Sequence, residues 1–304
     1  LQLNNNEIRI ETTNFCNGNC IFCPRDEMTR PKVTMKYPHF RQLVEQAYAL
    51  GVDTVSPFGF GEPLMDSKIA DKIELCNIMG FNTFLTTNAT RLTVEKSFDL
   101  LKAGLSHIRF SVHGVGFNYE RVQKGFTWNE TITNINNFLK VNHVKYEHKC
   151  KVSVSIIPMH NEDIKDLKMF WERPEIDYLE IWKPHNWSTV KNYRKPTRKK
   201  LKTCGRSTHG PIQIQSDGKV IPCCFMTNAE VVLGDTYTDA LENIIKGKKY
   251  NAFREAHRTG NLKGLPCETC DQLYIGENPL LYSSRDKDRN IHVTSSTKFK
   301  LKEN

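Results

Sequence analysis

Cys16-Asn17-Gly18-Asn19-Cys20-Ile21-Phe22-Cys23 spaces three cysteines as C-x3-C-x2-C, with an aromatic residue just before the last. Three neighbouring thiolates can hold three irons of a [4Fe–4S] cluster, whereas a complete all-cysteine set needs four. The fourth iron is then open to a ligand that is not protein. A zinc knuckle would add a nearby histidine or a fourth cysteine, and His39 is too distant for the usual spacing. The stretch reads as the loop of a chemically active cluster.

Outward from this loop, strand-like and helix-like patterns alternate from Glu7 to about Lys183. Glu7–Thr12 alternates as strand one and runs into the cysteines. Asp53–Phe58, Asn82–Thr87, Ser106–His113, Cys150–Ile157 and Asp177–Trp182 read as strands two to six, with helical spacing between them. Successive β/α units call for a parallel sheet with helices outside, and right-handed crossovers curl it into a barrel or part of one. The expected fold is α/β, a partial (β/α)6 TIM-like barrel. Its chemistry belongs at the C-terminal strand ends, where the cysteine loop lies. Alternation puts Ile108, Phe110, Val112, Val152, Val154, Ile156, Leu179 and Ile181 under the helices. Arg109, Ser111, His113, Ser153, Ser155, Tyr178, Glu180 and Trp182 then face inward, which suggests a lumen holding a polar ligand.

With Phe22 in place, Cys16–Cys23 resembles the signature of the radical S-adenosylmethionine (radical SAM) enzymes. The resemblance implies that the open iron chelates the amino and carboxylate groups of SAM, and that reductive cleavage yields a 5′-deoxyadenosyl radical. Gly59-Phe60-Gly61-Glu62-Pro63, just after strand two, looks like the family's Gly-rich element, in which a backbone edge and the acid bind SAM's amino group. Phe60 stands where a glycine is often found, and alone such a stretch is equally an ordinary β-to-α turn. Thr86-Thr87-Asn88 resembles the family's Thr-Asn-Gly segment, with Ala89 replacing glycine. Ser111 and His113 fall where ribose-contacting residues usually come. The implied SAM-binding set is Phe22, Gly59, Gly61, Glu62, Pro63, Asn88, Ser111 and His113.

Cys204, Cys223, Cys267 and Cys270 form a second group, suited to either a tetrahedral zinc or a fully ligated [4Fe–4S] cluster. Gly218 and Cys223 make a G-x4-C element on a hairpin turned at Ser216-Asp217-Gly218, with helices expected near Leu241–Lys246 and Tyr250–His257. This layout resembles the SPASM/twitch extension of radical SAM enzymes. No cysteine follows Cys270, which departs from the full pattern toward the form with a single auxiliary cluster. The nearest analogy is the 2-deoxy-scyllo-inosamine dehydrogenase type. Cys76 and Cys150 sit on apolar faces as core residues, whereas Cys224, beside a ligand, is a candidate hydrogen donor to a substrate radical.

The expected organisation is a partial barrel over 1–190, a basic linker over 191–203, a SPASM/twitch-like domain over 204–275 and a polar basic surface arm over 276–304. The chain is 38% hydrophobic and 25% charged, with no apolar run long enough to span a membrane. Leu1-Gln2-Leu3-Asn4-Asn5-Asn6 lacks the basic and apolar regions of a signal peptide, while opening on Leu1 leaves room for a processed leader. Ten cysteines without an export signal point to metal binding in a reducing compartment, so a cytoplasmic location is expected. The net charge of +9 suits an anionic or otherwise polar small molecule or peptide. Much of it lies in Lys191, Arg194, Lys195, Arg198, Lys199, Lys200 and Lys202, which read as a solvated linker.

The whole implies an enzyme with SAM and two [4Fe–4S] clusters, a radical SAM oxidoreductase served by a flavodoxin- or ferredoxin-type reductant. It would abstract hydrogen from a polar substrate in a two-electron, dehydrogenase-type oxidation. Epimerisation or crosslinking of a peptide is the alternative within the family. A zinc-stabilised nucleic-acid-binding module is the rival outside it, although no nucleic-acid signature accompanies the basic run.

Overall fold

A computed structural model describes residues 5–188, 190–193, 195, 200–274 and 280–284. Six strands follow one another along the first half of the chain: β1 (Glu7–Ile10), β2 (Thr54–Ser56), β3 (Asn82–Thr87), β4 (His107–Ser111), β5 (Lys151–Ile156) and β6 (Tyr178–Trp182). They lie side by side in chain order, and each neighbouring pair is parallel. Parallel neighbours require crossovers. These are supplied by α1 (Tyr37–Ala49), α2 (Ile69–Ile78), α3 (Val94–Lys102), α4 (Trp128–Tyr146) and α5 (Ile164–Trp171). Helix starts follow local chemistry: the Thr93 hydroxyl accepts from Lys96 N–H at 3.2 Å and the Asp163 carboxylate from Lys165 N–H at 2.8 Å. The architecture is the expected partial (β/α)6 barrel.

The strand faces separate as their alternation predicts. Ile108, Phe110, Val112, Val152, Val154, Ile156, Leu179 and Ile181 are buried in one apolar core with residues of α3, α4 and α5. Cys76 and Cys150 are fully buried core residues.

Both open edges of the half-barrel are covered by later chain. On one side β7 (Ile212–Ile214) pairs parallel to β1, then β8 (Lys219–Ile221) and β9 (Gly234–Asp235) add antiparallel. Two further helices, α6 (Leu241–Lys246) and α7 (Lys248–Thr259), close this side. Ile212, Ile214, Val220, Leu241, Ile245 and Phe253 share one core with Ile8, Ile10, Phe40, Leu43 and Val55. The expected boundary near 203 is therefore not a gap between cores: the extension completes the apolar face that β1 and α1 leave open.

On the other side β10 (Leu280–Ser283) pairs antiparallel with β6, Tyr282 facing Ile181 and Ser283 facing Glu180. Within the surface arm expected over 276–304, the described residues Leu280–Ser283 are instead a strand of the sheet. Its Leu281 and Tyr282 pack on the barrel core, and an unpaired edge with apolar neighbours recruits a strand. The stretches 275–279 and 285–304 lie outside the described residues. In the basic linker, Lys191 pairs with Glu27 at 2.9 Å and Lys200 donates to the Glu268 carbonyl at 2.6 Å. Arg194, Arg198 and Lys199 fall outside the described residues. Among the described residues, no helix is long and apolar enough to cross a membrane.

Candidate functional site

Beyond β1 the chain turns into a loop held shut at its root by Asn14, whose amide donates to Pro31 O at 2.8 Å and accepts from Val33 N–H at 2.6 Å. Cys20 sits on a short ribbon, Asn19–Cys20 against Gln123–Lys124, and Cys23 N–H donates back to Cys20 O at 3.0 Å. The three thiols feel one another. Cys20 is pushed up by burial and by the neighbouring Cys23 and Cys16, and Cys23 is pushed up to about 12 by burial, with a contribution from Cys16. As free thiols they are poor nucleophiles; a bound metal is what makes such thiolates stable.

The Gly59–Pro63 element packs directly beneath this loop. A Cβ on Gly61 would lie 2.2 Å from Thr13 O, and one on Gly59 would lie 2.5 Å from Glu11 Oε2. Glycine is required there so that two loops can touch. Glu62 N–H then donates to Phe15 O at 2.8 Å. The Glu62 carboxylate turns inward, taking Thr87 Oγ1 at 2.6 Å and Leu64 N–H at 3.1 Å on Oε1, and Asn88 N–H at 2.8 Å on Oε2. Only 2% exposed, it is pushed up by burial. Pro63 is buried at the start of a short 3-10 turn.

Glu62 and Asn88 thus brace the site floor through hydrogen bonds within the protein. The Asn88 side chain accepts from Thr90 N–H and Oγ1 and donates to Asn17 Oδ1 at 3.2 Å, tying β3's end to the cysteine loop. Ala89 holds φ at +64°, the reason a glycine suits that position.

Phe22 and His113 face each other edge to face, with ring centroids 4.5 Å apart. His113 Nδ1 accepts from Ile157 N–H at 3.0 Å, so the ring proton sits on Nε2. Burial and Arg109 push its pKa down to about 3, leaving a neutral imidazole. Gln123 holds β4's end, accepting from His113 N–H at 2.7 Å and donating to Ser111 O at 3.2 Å.

Below lies the lumen. Ser111 pairs across to Ser155, and Ser155 to Glu180, so these three make one inward row. Arg109, Ser153 and Tyr178 form the row beneath. Further down, His107 Nε2 and Ser153 Oγ are 2.9 Å apart, and Arg9 and Arg109 flank the Phe58 ring at 4.8 and 5.9 Å. Glu180 is 2% exposed; Oε2 accepts from Trp182 Nε1 at 3.3 Å, and Oε1 has no hydrogen-bond partner among the described residues.

A second site lies in the extension. Cys204, Cys223, Cys267 and Cys270 line one cavity together with Arg206, Phe225 and His257. Burial, with the other thiols contributing, pushes Cys267 and Cys270 up to about 12. Cys224 is not on this wall. Its Sγ accepts from Arg206 Nη1 at 3.9 Å, and a hydrogen bond with the adjacent Cys223 thiol, followed by Arg206 and Arg9, lowers its pKa. His257 is buried and held neutral, its Nδ1 2.9 Å from Thr203 Oγ1. Among the described residues, no three His, Cys, Asp or Glu side chains converge on a single-ion point. A four-iron cluster binds each thiolate at a different iron, so its ligands stand wider apart than those of one zinc. Cys204, Cys223, Cys267 and Cys270 meet the donor-set demand of such a cluster by lining one cavity, and Cys16, Cys20 and Cys23 by sharing one loop.

A family model of the radical SAM superfamily matches residues 10–171, more than half of the chain. The chain belongs to the radical SAM superfamily. A second model, SPASM, an iron–sulfur cluster-binding domain, matches residues 204–271. The cofactors are therefore SAM and a [4Fe–4S] cluster in the barrel, with auxiliary iron–sulfur binding in the extension. The chain is 36% identical over 105 residues to a probable GTP 3′,8-cyclase of Methanothermobacter thermautotrophicus, 34% of each chain. It is 29% identical over 104 residues to the PqqA peptide cyclase of Streptomyces rochei, 34% of this chain and 28% of that one. It thus spans about a third of the length of these curated relatives. Among solved structures it resembles BtrN in complex with AdoMet and 2-DOIA, with TM-score 0.61 and 17% identity, covering 92% of this chain and 98% of that chain. It also resembles Streptococcus suis SuiB bound to precursor peptide SuiA, with TM-score 0.68 and 15% identity, covering 86% and 74%.

Two connections in this radical SAM chain had no signal in the sequence. Glu11, at the end of the expected strand one, and Arg30, in the loop beyond the cysteines, form a buried pair. Trp187 donates Nε1–H to Phe22 O at 2.7 Å, and its ring packs near Phe60 and Phe225 at 5.6 and 5.7 Å. Trp187 and Ser188 hold φ at +48° and +56°, strain that this packing sustains.

Proposed function

We propose that the protein is a radical SAM oxidoreductase that removes hydrogen from a C–H bond of a polar substrate seated in the lumen. The observation carrying this is Glu180, a buried carboxylate whose Oε1 lacks a hydrogen-bond partner among the described residues, in the inward row with Ser111 and Ser155. Barrels of this kind are ordinarily filled with aliphatic side chains, and a buried acceptor is costly unless a donor reaches it. A substrate O–H or N–H meets that need, and on oxidation Glu180 Oε1 receives its proton. Arg9, ion-paired with Glu7 at 3.1 Å, and Arg109 flank the Phe58 ring beside the lumen. SAM and its cluster, when bound at Cys16, Cys20 and Cys23, supply the one-electron chemistry. Phe22 and His113 wall the cofactor side, while Glu62 and Asn88 hold the floor rigid. Four thiolates from Cys204, Cys223, Cys267 and Cys270 would leave an auxiliary cluster no site for substrate, which suits it to accept the second electron. A flavodoxin- or ferredoxin-type protein would supply the first.

A second reading, peptide epimerisation, is favoured by Cys224. It stands off the auxiliary cavity wall, and in its protonated form its S–H can return a hydrogen atom to a substrate radical.

Anaerobic reconstitution should give about eight irons per chain, from two [4Fe–4S] clusters, and reductive SAM cleavage. Alanine at Cys16, Cys20 or Cys23 should stop cleavage, and zinc without iron would refute the reading. In D2O, epimerisation leaves deuterium on the substrate carbon, whereas oxidation does not. Glu180→Gln should preserve SAM cleavage and lose substrate turnover; full turnover would exclude the lumen assignment.

A further inference from the structure

His257 on α7 presents a buried imidazole to the cavity that Cys204, Cys223, Cys267 and Cys270 line. It is 2% exposed, and its Nε2 has no hydrogen-bond partner among the described residues. The other ring nitrogen is accounted for. Thr203 Oγ1 accepts from Gly205 N–H at 3.0 Å and lies 2.9 Å from His257 Nδ1. Among the described residues His257 Nδ1 is the acceptor within reach of the Thr203 hydroxyl proton, and taking that proton leaves the ring's own proton on Nε2. A buried N–H without an acceptor is costly, so this one is built for something the cavity receives. The thiolates and sulfides of an iron–sulfur cluster are the acceptors such a cavity brings, and hydrogen bonds to those sulfurs are among the main controls of cluster potential.

We infer that His257 donates Nε2–H to a sulfur of the auxiliary cluster and thereby raises its reduction potential, making it the better electron acceptor. Thr203, next to Cys204, is the positioning residue that fixes the tautomer and the ring. This rests on the reading that the four cysteines hold the auxiliary cluster. The donor stabilises the reduced, more negative state, in which the sulfurs are stronger acceptors, so removing it favours the oxidised state. Arg206, half-buried on the same cavity wall, adds charge without replacing this directed N–H.

The test is a potentiometric titration of the reconstituted holoenzyme followed by EPR. SAM addition shifts the signal of the barrel cluster and leaves the auxiliary signal unmoved, which separates the two. His257→Phe should retain iron and lower the auxiliary potential. At the wild-type midpoint its ratio of reduced to oxidised cluster should fall about tenfold, equivalent to about 59 mV for a one-electron couple. Thr203→Val should shift it in the same direction by less, and His257→Gln, whose amide can donate, should restore most of the loss. An unchanged potential in Thr203→Val and His257→Phe overturns the inference. Pulsed EPR of wild-type protein labelled with 15N-histidine needs no variant: one nitrogen coupled to the auxiliary cluster supports it, and no coupling overturns it. Wild-type iron of about four per chain would instead defeat the four-cysteine reading itself.

Discussion

Arg30 grips both carboxylate oxygens of Glu11, at 2.7 Å and 2.8 Å, inside the protein. Glu11 stands at the end of β1, and its other donors come from two distant places: Phe60 N–H of the Gly59–Pro63 element at 2.8 Å, and Ser216 N–H and Oγ at 3.1 and 2.8 Å. Arg30 also donates Nε–H to Thr227 O at 2.8 Å. One ion pair therefore joins the cysteine loop, the Gly59–Pro63 element and the extension.

Removing one partner leaves a buried charge without its counter-charge. Arg30→Met should cost about 3–5 kcal/mol in urea unfolding, whereas the paired replacement with Glu11→Gln should recover part of that. The single variant should also lose iron from both sites. Loss confined to stability, with iron intact, would show that the pair does not align the two sites.

His113 predicts an acid-sensitive step. Its pKa is depressed to about 3 in the fold against an ordinary 6.5, so the unfolded chain binds the proton first. The stability it contributes is present above pH 6.5 and is lost progressively as pH falls toward 3. Between pH 7 and pH 5 wild type should lose about 2 kcal/mol more than His113→Gln, measured by urea unfolding of the apoprotein at both values.

Ala89 holds a left-handed backbone conformation while its methyl is fully buried. Relieving that conformation with glycine gains about 1–2 kcal/mol, and losing a buried methyl costs about 0.8 kcal/mol. Greater backbone freedom in the unfolded chain opposes the gain as well. Ala89→Gly should therefore be within about 1 kcal/mol of wild type. Ala89→Val should fall by more than about 2 kcal/mol, from backbone strain and overpacking together. Thermal midpoints of the two variants decide it.

Cys224→Ala separates the two proposed reactions. If the enzyme oxidises, the variant should keep iron content, SAM cleavage and product formation within about twofold. If it epimerises, SAM cleavage should persist while product with solvent deuterium disappears.

The fold was largely legible because period-two and helical spacings alternate cleanly through β6, and buried aliphatic residues such as Ile108 and Val154 obey them. The four-residue strand Leu280–Ser283 was not, because it sits in a polar, basic tail and its reason to exist is the exposed edge of β6. At the site, both cysteine sets announce themselves by spacing. The bracing hydrogen bonds of Glu62 and Asn88 to Thr87, Leu64 and Asn17 did not, since they join separate loops.

Cys16, Cys20 and Cys23 alone determined that a cluster with an open iron was to be expected, because ligand chemistry depends on residue type and short-range spacing. Tertiary structure decided what such spacing cannot encode. Glu180 became a buried acceptor only when three strands aligned, Cys224 left the cavity wall only when β8 paired with β7, and His257 met the second cysteine set only through the packing of α7. Each depends on contacts between residues far apart in the chain, where burial rather than sequence order sets the chemistry.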